Sequence, residues 1–380
     1  MAKNVVVCCD GTANEFAKDR TNVAKLFFTL IKDPARQATF YHPGVGTMAP
    51  PGFVTKIGAS LAKIAGLAFG YALSNDIRDL YISIAKAYEP GDKLYLFGFS
   101  RGAYTVRALA SLLHMYGLIP SGNDPLVPYI TRMMWKIRDL RKHSDDQGSK
   151  QKSDEYFKLA RDFKDTFSRE CRPHFVGVWD TVSSVGWFTD PTALPFTANN
   201  PDIAIGRHAI AIDERRAFFR TNRWLPGAAP AESGPKDLKQ VWFPGVHCDV
   251  GGGYPESESG LSKIPLKWMI QEAKAAGLQV DDEKVALILG ERGGGFVPPD
   301  PNGPMHNSMS AAWRIVEYVP KPHWDSKTET REWRRNLARQ RTWPEKPCVD
   351  DGAWQRGGGY SDRLPADAVR LSKAFPAPQV

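Results

Sequence analysis

Residues 94–113 read LYLFGFSRGAYTVRALASLL, and the spacing of their apolar side chains changes once, at Ser100. Leu94 to Phe97 form a continuous apolar and aromatic run, as in a strand buried on both faces. After Gly102 the residues Ala103, Val106, Ala110 and Leu113 recur at helical intervals. Ser100 therefore stands on a corner between a strand and a helix. The five residues Gly98-Phe99-Ser100-Arg101-Gly102 fit G-x-S-x-G, a pattern with chemical meaning only when a strand precedes it and a helix follows. The logic is steric. A serine on so tight a turn takes strained backbone angles, and Gly98 and Gly102 must lack side chains for strand and helix to approach. Its hydroxyl then stands above the sheet edge, where the free N–H groups of the helix N-terminus favour developing negative charge. The Arg101 amide is the first candidate oxyanion donor.

The rest of the chain repeats the alternation. Short β-rich runs, VVVCC (5–9), ATFYH (38–42), KLYLFG (93–98), HFVGVW (174–179), HAIAI (208–212) and QVWFPGV (240–246), are separated by amphipathic segments such as 22–31 and 75–88. This order predicts an α/β fold with a mostly parallel central sheet flanked by helices. From about Pro120 to Glu170 the sequence turns polar and helical without a strand, predicting a helical cap insertion whose middle, RKHSDDQGSKQKSDEYFK, is a mobile loop. Residues 51–79 hold an apolar stretch interrupted by Lys56, Lys63 and several glycines, too broken for a membrane span and expected to be an interior helix or a flap with a possible lipid-contacting surface. Strand signals fade beyond Gly260, so 261–380 is expected to be an extension wrapping a single domain.

A serine is a poor nucleophile at neutral pH, so Ser100 demands a base and a group to orient it. Asp180 is the acid candidate, because HFVGVWD is an apolar strand ending in a carboxylate on the edge where open α/β sheets keep their sites. The plainer role for Asp180 is a turn or helix cap. His247 is the base candidate, placed where VWFPGV opens into the glycine-rich HCDVGGGY. His306 in GPMHNSMSAAW is its rival, and Asp249 competes with Asp180. A second oxyanion donor is expected in the Asp10-Gly11-Thr12 turn after the first strand, with Gly11 and Thr12 offering amides and Asp10 pinning the loop. An ordinary Asp-Gly turn is the plainer alternative.

The 380 residues are 42% hydrophobic and 24% charged, a soluble globular composition. The net charge of +8 favours anionic partners such as phospholipid head groups. Much of it lies in RMMWKIRDLRKH (132–143) and REWRRNLARQR (331–341), read as solvated helix faces whose aromatics pack inward. Five scattered cysteines fit neither a disulfide framework nor a zinc site. No apolar run near the N-terminus suits a signal peptide, which predicts cytoplasmic synthesis and leaves leaderless secretion open.

Together CCDGTAN, GFSRGAYTVR, VGVWDTV and PGVHCDVGGGY, with YHPGVGT (41–47) and HAIAIDERR (208–216), resemble the α/β-hydrolase family of type VI secretion lipase effectors, the Tle-type phospholipases and their relatives. The resemblance spans roughly residues 4–320. It implies Ser100 as nucleophile, Asp180 as acid and His247 as base, with ester bonds of phospholipids or related lipids as substrate and no cofactor. The family's effectors also tend to carry anchoring or delivery modules, for which 380 residues leave little room.

Other chemistries are open to these residues. Asp10, Asp180, His247 and Asp249 all sit at strand ends and could ligate a hard cation in a metal-dependent hydrolase. A carboxylesterase acting on non-lipid esters would use the same serine. Gly44-Val45-Gly46-Thr47-Met48-Ala49 fits a dinucleotide fingerprint, but Pro50 and Pro51 fall where its helix should run. Nucleic-acid binding rests on charge alone and is not expected.

Overall fold

A computed structural model describes residues 2–11, 20–44, 58–141, 146–182, 186–187, 190–191, 194–225, 234–309, 313–314, 317–318, 320–325 and 330–376. Its centre is an eight-stranded sheet in which every neighbouring pair is parallel. Six strands are those read from sequence: β1 (Asn4–Cys9), β2 (Gln37–His42), β3 (Lys93–Phe99), β4 (Pro173–Trp179), β5 (Ile205–Ala211) and β6 (Asp237–Phe243). Two short strands, β7 (Cys348–Val349) and β8 (Val369–Arg370), extend the sheet beyond β6. The C-terminal region thus contributes to the sheet as well as wrapping it. Across the sheet the order is β2-β1-β3-β4-β5-β6-β7-β8. The chain leaves β1 for β2 on one side and returns to β3 on the other, so the carboxyl ends of β1 and β3 flank a topological switch point.

Burial explains the unbroken apolar strands. Along β1, Val5, Val7 and Cys9 face one apolar cluster while Val6 and Cys8 face another, and all five are fully buried. Each such valine stabilises the fold by about 1.5–3 kcal/mol. On the first face lie α2 (Gly58–Ala87), α3 (Arg101–Tyr116), α4 (Val127–Arg141) and α5 (Gln147–Phe167). On the second lie α1 (Asn22–Thr29) and, beyond β6, α7 (Gly260–Ala275), with Val23, Leu26, Leu266 and Met269 against the sheet.

The helical insertion is present as α4 and α5. Val127, Ile130, Met134 and Phe163 bury themselves in the cluster that α3 shares with β1 and β3, so the insertion thickens that layer. Its polar middle is helical from Gln147, where Asp146 accepts the Gly148 and Ser149 amides as an N-cap. Residues 142–145 lie outside the described residues. Of the 51–79 stretch, the part from Gly58 onward is continuous with the amphipathic segment at 75–88 as α2, and 51–57 lie outside the described residues.

The two cationic runs part company. On α4, Arg132, Lys136 and Arg141 are exposed while Met133 and Ile137 are buried, as a solvated helix face requires. The run at 331–341 is not a helix. Its start pairs as a strand, Thr330–Arg334, with Lys321–Asp325, Trp333 is 60% exposed, and Arg341 turns inward. Among the described residues no helix is long and apolar enough to cross a membrane.

Candidate active site

β3 ends at Phe99 and α3 begins at Arg101, leaving Ser100 alone on the corner. Its φ of 58° and ψ of −118° are a conformation that non-glycine residues rarely adopt. The flanking glycines are sterically required. A Cβ at Gly98 would lie 2.5 Å from the Gly102 carbonyl oxygen, and one at Gly102 would lie 2.2 Å from that of Cys9. The second clash sets α3 directly against the end of β1, at the switch point. The Ser100 amide donates to the Trp179 carbonyl at 3.0 Å, tying the corner to the residue before Asp180.

Asp180 follows β4 with a left-handed φ of 38° and is fully buried. Its amide donates to the Ala209 carbonyl at 2.7 Å, and its Oδ1 accepts the Ala211 amide at 3.0 Å, fixing the carboxylate over the end of β5. Oδ2 lies 2.6 Å from Nδ1 of His247. On its other side the Arg341 guanidinium grips both oxygens, Nη1 to Oδ1 at 2.5 Å and Nη2 to Oδ2 at 2.9 Å, and also donates to the Ala211 and Phe219 carbonyls. Burial pushes the Asp180 pKa up, but Arg341 and the His247 bond outweigh it and hold the group well below the usual carboxylate range. Beside it, His208 accepts the Thr181 amide at 3.2 Å. Burial, with Arg107 nearby, lowers the His208 pKa to about 3, so that ring is neutral.

His247 opens the short helix α6 (His247–Gly251). Its ring lies between Phe99, centroids 4.6 Å apart, and Phe219, 4.7 Å apart. Its amide donates to Glu214 Oε2 at 3.3 Å. An ionised carboxylate accepts only, so the bond to Asp180 holds the proton on Nδ1 and leaves the lone pair of the neutral ring on Nε2. Nε2 is buried and has no hydrogen-bond partner among the described residues.

The first-strand turn is built around Asp10, which is buried and accepts from Thr21 Oγ1 at 2.6 Å, Tyr41 Oη at 2.8 Å and the Gly11 amide at 2.7 Å. Asp10 pins the loop as its sequence position suggests. The expectation for Gly11 changes, because its N–H is engaged by the Asp10 carboxylate instead of facing a substrate. Thr12 lies outside the described residues. Of the dinucleotide-like stretch, Gly44 packs on the Asp10 and Gly11 carbonyls, and 45–49 lie outside the described residues.

The rivals pair with each other. His306 Nδ1 lies 2.6 Å from Asp249 Oδ1, its Nε2 lies 2.9 Å from Glu258 Oε2, and its ring stacks on Tyr254. Asp249 also caps α6 through the Val246 amide at 3.0 Å. Burial would lower the His306 pKa, but the two carboxylates raise it overall. Asp249 therefore organises the histidine loop without touching His247. Among the described residues no three of His, Cys, Asp and Glu converge as metal ligands would.

Sequence reasoning missed Arg341 and Glu214. Glu214 is buried, takes the His247 amide, and is paired with Arg216 at 2.8 Å. A carboxylate closely following the buried run HAIAI was the signal for it. Arg341 gave none, sitting 161 residues from Asp180 in a run that looked solvated.

A parallel sheet with helices on both faces, a strained serine at its switch point and a buried carboxylate–imidazole pair brought together from beyond the carboxyl ends of β4 and β6 define the α/β-hydrolase-like class. The chain belongs to the family described as "T6SS, Phospholipase effector Tle1-like, catalytic domain", whose model matches residues 3–272. A curated relative, "Uncharacterized protein YEL023C" of Saccharomyces cerevisiae, is 34% identical over 235 residues, which is 59% of this chain and 33% of that protein. The chain thus matches about a third of that relative's length. Among solved structures, an uncharacterized protein from Pseudomonas aeruginosa aligns at 20% identity and a TM-score of 0.42, covering 74% of this chain and 47% of that one. The Tle1 effector bound to the VgrG spike aligns at 17% identity and a TM-score of 0.36, covering 68% and 52%.

Proposed function

We propose that this protein is a serine hydrolase that cleaves carboxylic ester bonds of lipids or phospholipids through Ser100, His247 and Asp180. The observation that carries this is the 2.6 Å bond between His247 and Asp180, made by a buried imidazole whose ring lies against the residue preceding Ser100. Nε2 of His247 takes the Ser100 proton as Oγ attacks the ester carbonyl, and Asp180 stabilises the imidazolium that forms. The Arg101 amide, in the first turn of α3, receives the oxyanion, with the Thr12 amide as second donor. The imidazolium then protonates the leaving alcohol. Water, deprotonated by the same nitrogen, clears the acyl-enzyme.

Lipid is preferred over a generic ester because the family is named for phospholipase effectors, and the net charge of +8 suits an anionic membrane surface. A panel of soluble esters and dispersed phospholipids, assayed with chelator present on wild type and Ser100→Ala, tests the reading. Turnover of lipid esters that resists chelator and is lost in a folded Ser100→Ala supports it. Turnover retained by that variant contradicts it, and turnover of soluble esters alone points to a non-lipid carboxylesterase.

A further inference from the structure

His247 and Gly251 stand four residues apart in α6 and so share one face of that turn, and the ring of Phe99 meets both. The ring centroids of Phe99 and His247 are 4.6 Å apart, with the planes tilted by 31°. A Cβ at Gly251 would fall 1.9 Å from Cε2 of Phe99 and 2.2 Å from its Cδ2 and Cζ, well inside van der Waals contact. Gly252 and Gly253 have φ of 79° and 110°, where glycine supplies backbone freedom, but the φ of Gly251 is not in that left-handed region. The first glycine of the triplet therefore supplies clearance: alanine would suit its backbone and is kept out by the Phe99 ring.

That ring belongs to the serine corner. Phe99 closes β3 and directly precedes Ser100, so the ring and the hydroxyl depart from Cα atoms about 3.8 Å apart. Phe99 is buried in the apolar cluster that also holds Phe97, Trp179 and Val250, and close packing there keeps it from swinging aside. The bond from Asp180 fixes Nδ1 of His247 but leaves the imidazole free to rock about that one contact. Phe99, with Phe219 packed edge-on, removes this freedom. The corner is thus tied to both partners of the serine, to Asp180 through the Ser100 amide on the Trp179 carbonyl and to His247 through Phe99.

Resting on the serine-hydrolase reading, we propose that Phe99 is a positioning residue for His247, and that position 251 is glycine to admit its ring. The strand that delivers the nucleophile also sets where the base stands, because neighbouring residues of one corner carry the hydroxyl and the ring that braces the imidazole. Misplacing a reacting group by about 1 Å can cost about 10²-fold in rate, so a methyl group added at Gly251 reaches the chemistry through Phe99.

The test compares Phe99→Leu, Gly251→Ala and the double variant with wild type, measuring Tm and the turnover of p-nitrophenyl butyrate. Each single change is expected to lower kcat about tenfold while KM stays within about twofold. Gly251→Ala should also lower Tm, the reverse of what this change does at an unhindered position. Leucine lacks the Cε2 and Cζ atoms, so in the double variant the Tm loss should be smaller than the sum of the single losses, and kcat no lower than in the worse single variant. Tm that falls with kcat unchanged would mean a merely structural ring, and a rise in KM alone a ring that lines the substrate. Losses in kcat that multiply to about a hundredfold would mean two unrelated sites. Each of these overturns the proposal. A second readout needs no turnover: the solvent exchange of the His247 Nδ1 proton, followed by proton NMR and assigned with His247→Gln. It should be at least about tenfold faster in Phe99→Leu than in wild type, and equal exchange overturns the proposal. Should wild type hydrolyse no ester, the hydrolase reading fails by itself, and this proton decides whether Phe99 holds His247.

Discussion

The Ser100 corner and the His247 loop, linked by the packing of Phe99 on the His247 ring, are held in opposite ways. The corner is set largely by backbone sterics: two glycines, the adjoining end of β1 and one amide bond to Trp179 impose a strained φ of 58° on the serine. The imidazole is set by side chains from afar. Asp180 lies 67 residues before His247, Glu214 lies 33 before it, and Arg341 reaches in from the C-terminal region to fix Asp180. Steric constraint writes itself into a short motif, whereas a polar clamp is written into residues that are neighbours only after folding.

Changes to the clamp should therefore damage chemistry and stability, while changes to the corner should relieve strain. The largest effect is expected from Asp180→Asn, which cannot hold the proton on Nδ1 and should lower kcat by about 10⁴-fold with the fold retained. A loss below tenfold would mean that the carboxylate is only a structural cap.

Arg341→Gln comes next. It leaves Asp180 buried without its cation and should cost about 3–5 kcal/mol of unfolding free energy, read by denaturant titration. Because the folded pKa of Asp180 lies below its ordinary 3.8, the stability from ionising it is present above that value. It drains as pH falls through the depressed pKa. In Arg341→Gln the drain should begin at a higher pH, and an unaltered acid limb would remove Arg341 from the clamp.

Ser100→Gly relieves the strain at φ 58° and should stabilise the fold by about 1 kcal/mol, raising Tm while removing the hydroxyl. A lower Tm would mean the corner is not strained. The smallest effect belongs to His306, outside the proposed machinery. Its folded pKa is raised above 6.5, so its ion pairs contribute stability below that pH, lost as pH rises through the raised value. His306→Gln should flatten Tm against pH in this window and leave kcat unchanged, and an equally steep profile would discount the pairs.

Legibility followed the same division. The six strands that the first 246 residues give to the central sheet were visible as apolar runs, most plainly where both faces are buried as in Asn4–Cys9, whereas the two-residue pair Gly186–Trp187 and Asp190–Pro191 was not. The last two strands were not, since Cys348–Val349 and Val369–Arg370 are two residues each and owe their pairing to neighbours already in the sheet. Asp180 and His247 were readable from strand ends, and the structure brings them together. Gly11 was misread because an aspartate's reach to the next amide has no periodicity, and the 331–341 run because a buried arginine looks like a solvated one in sequence.

In the proposed reaction every step depends on the activation of Ser100 by His247. Its most direct test is the second-order rate of inactivation by a fluorophosphonate, with the modified residue mapped by mass spectrometry. Ser100 Oγ should bond to phosphorus as fluoride leaves, and His247→Gln should slow the reaction at least about 10²-fold. A label carried by any other residue, or a rate that His247→Gln leaves unchanged, would contradict it.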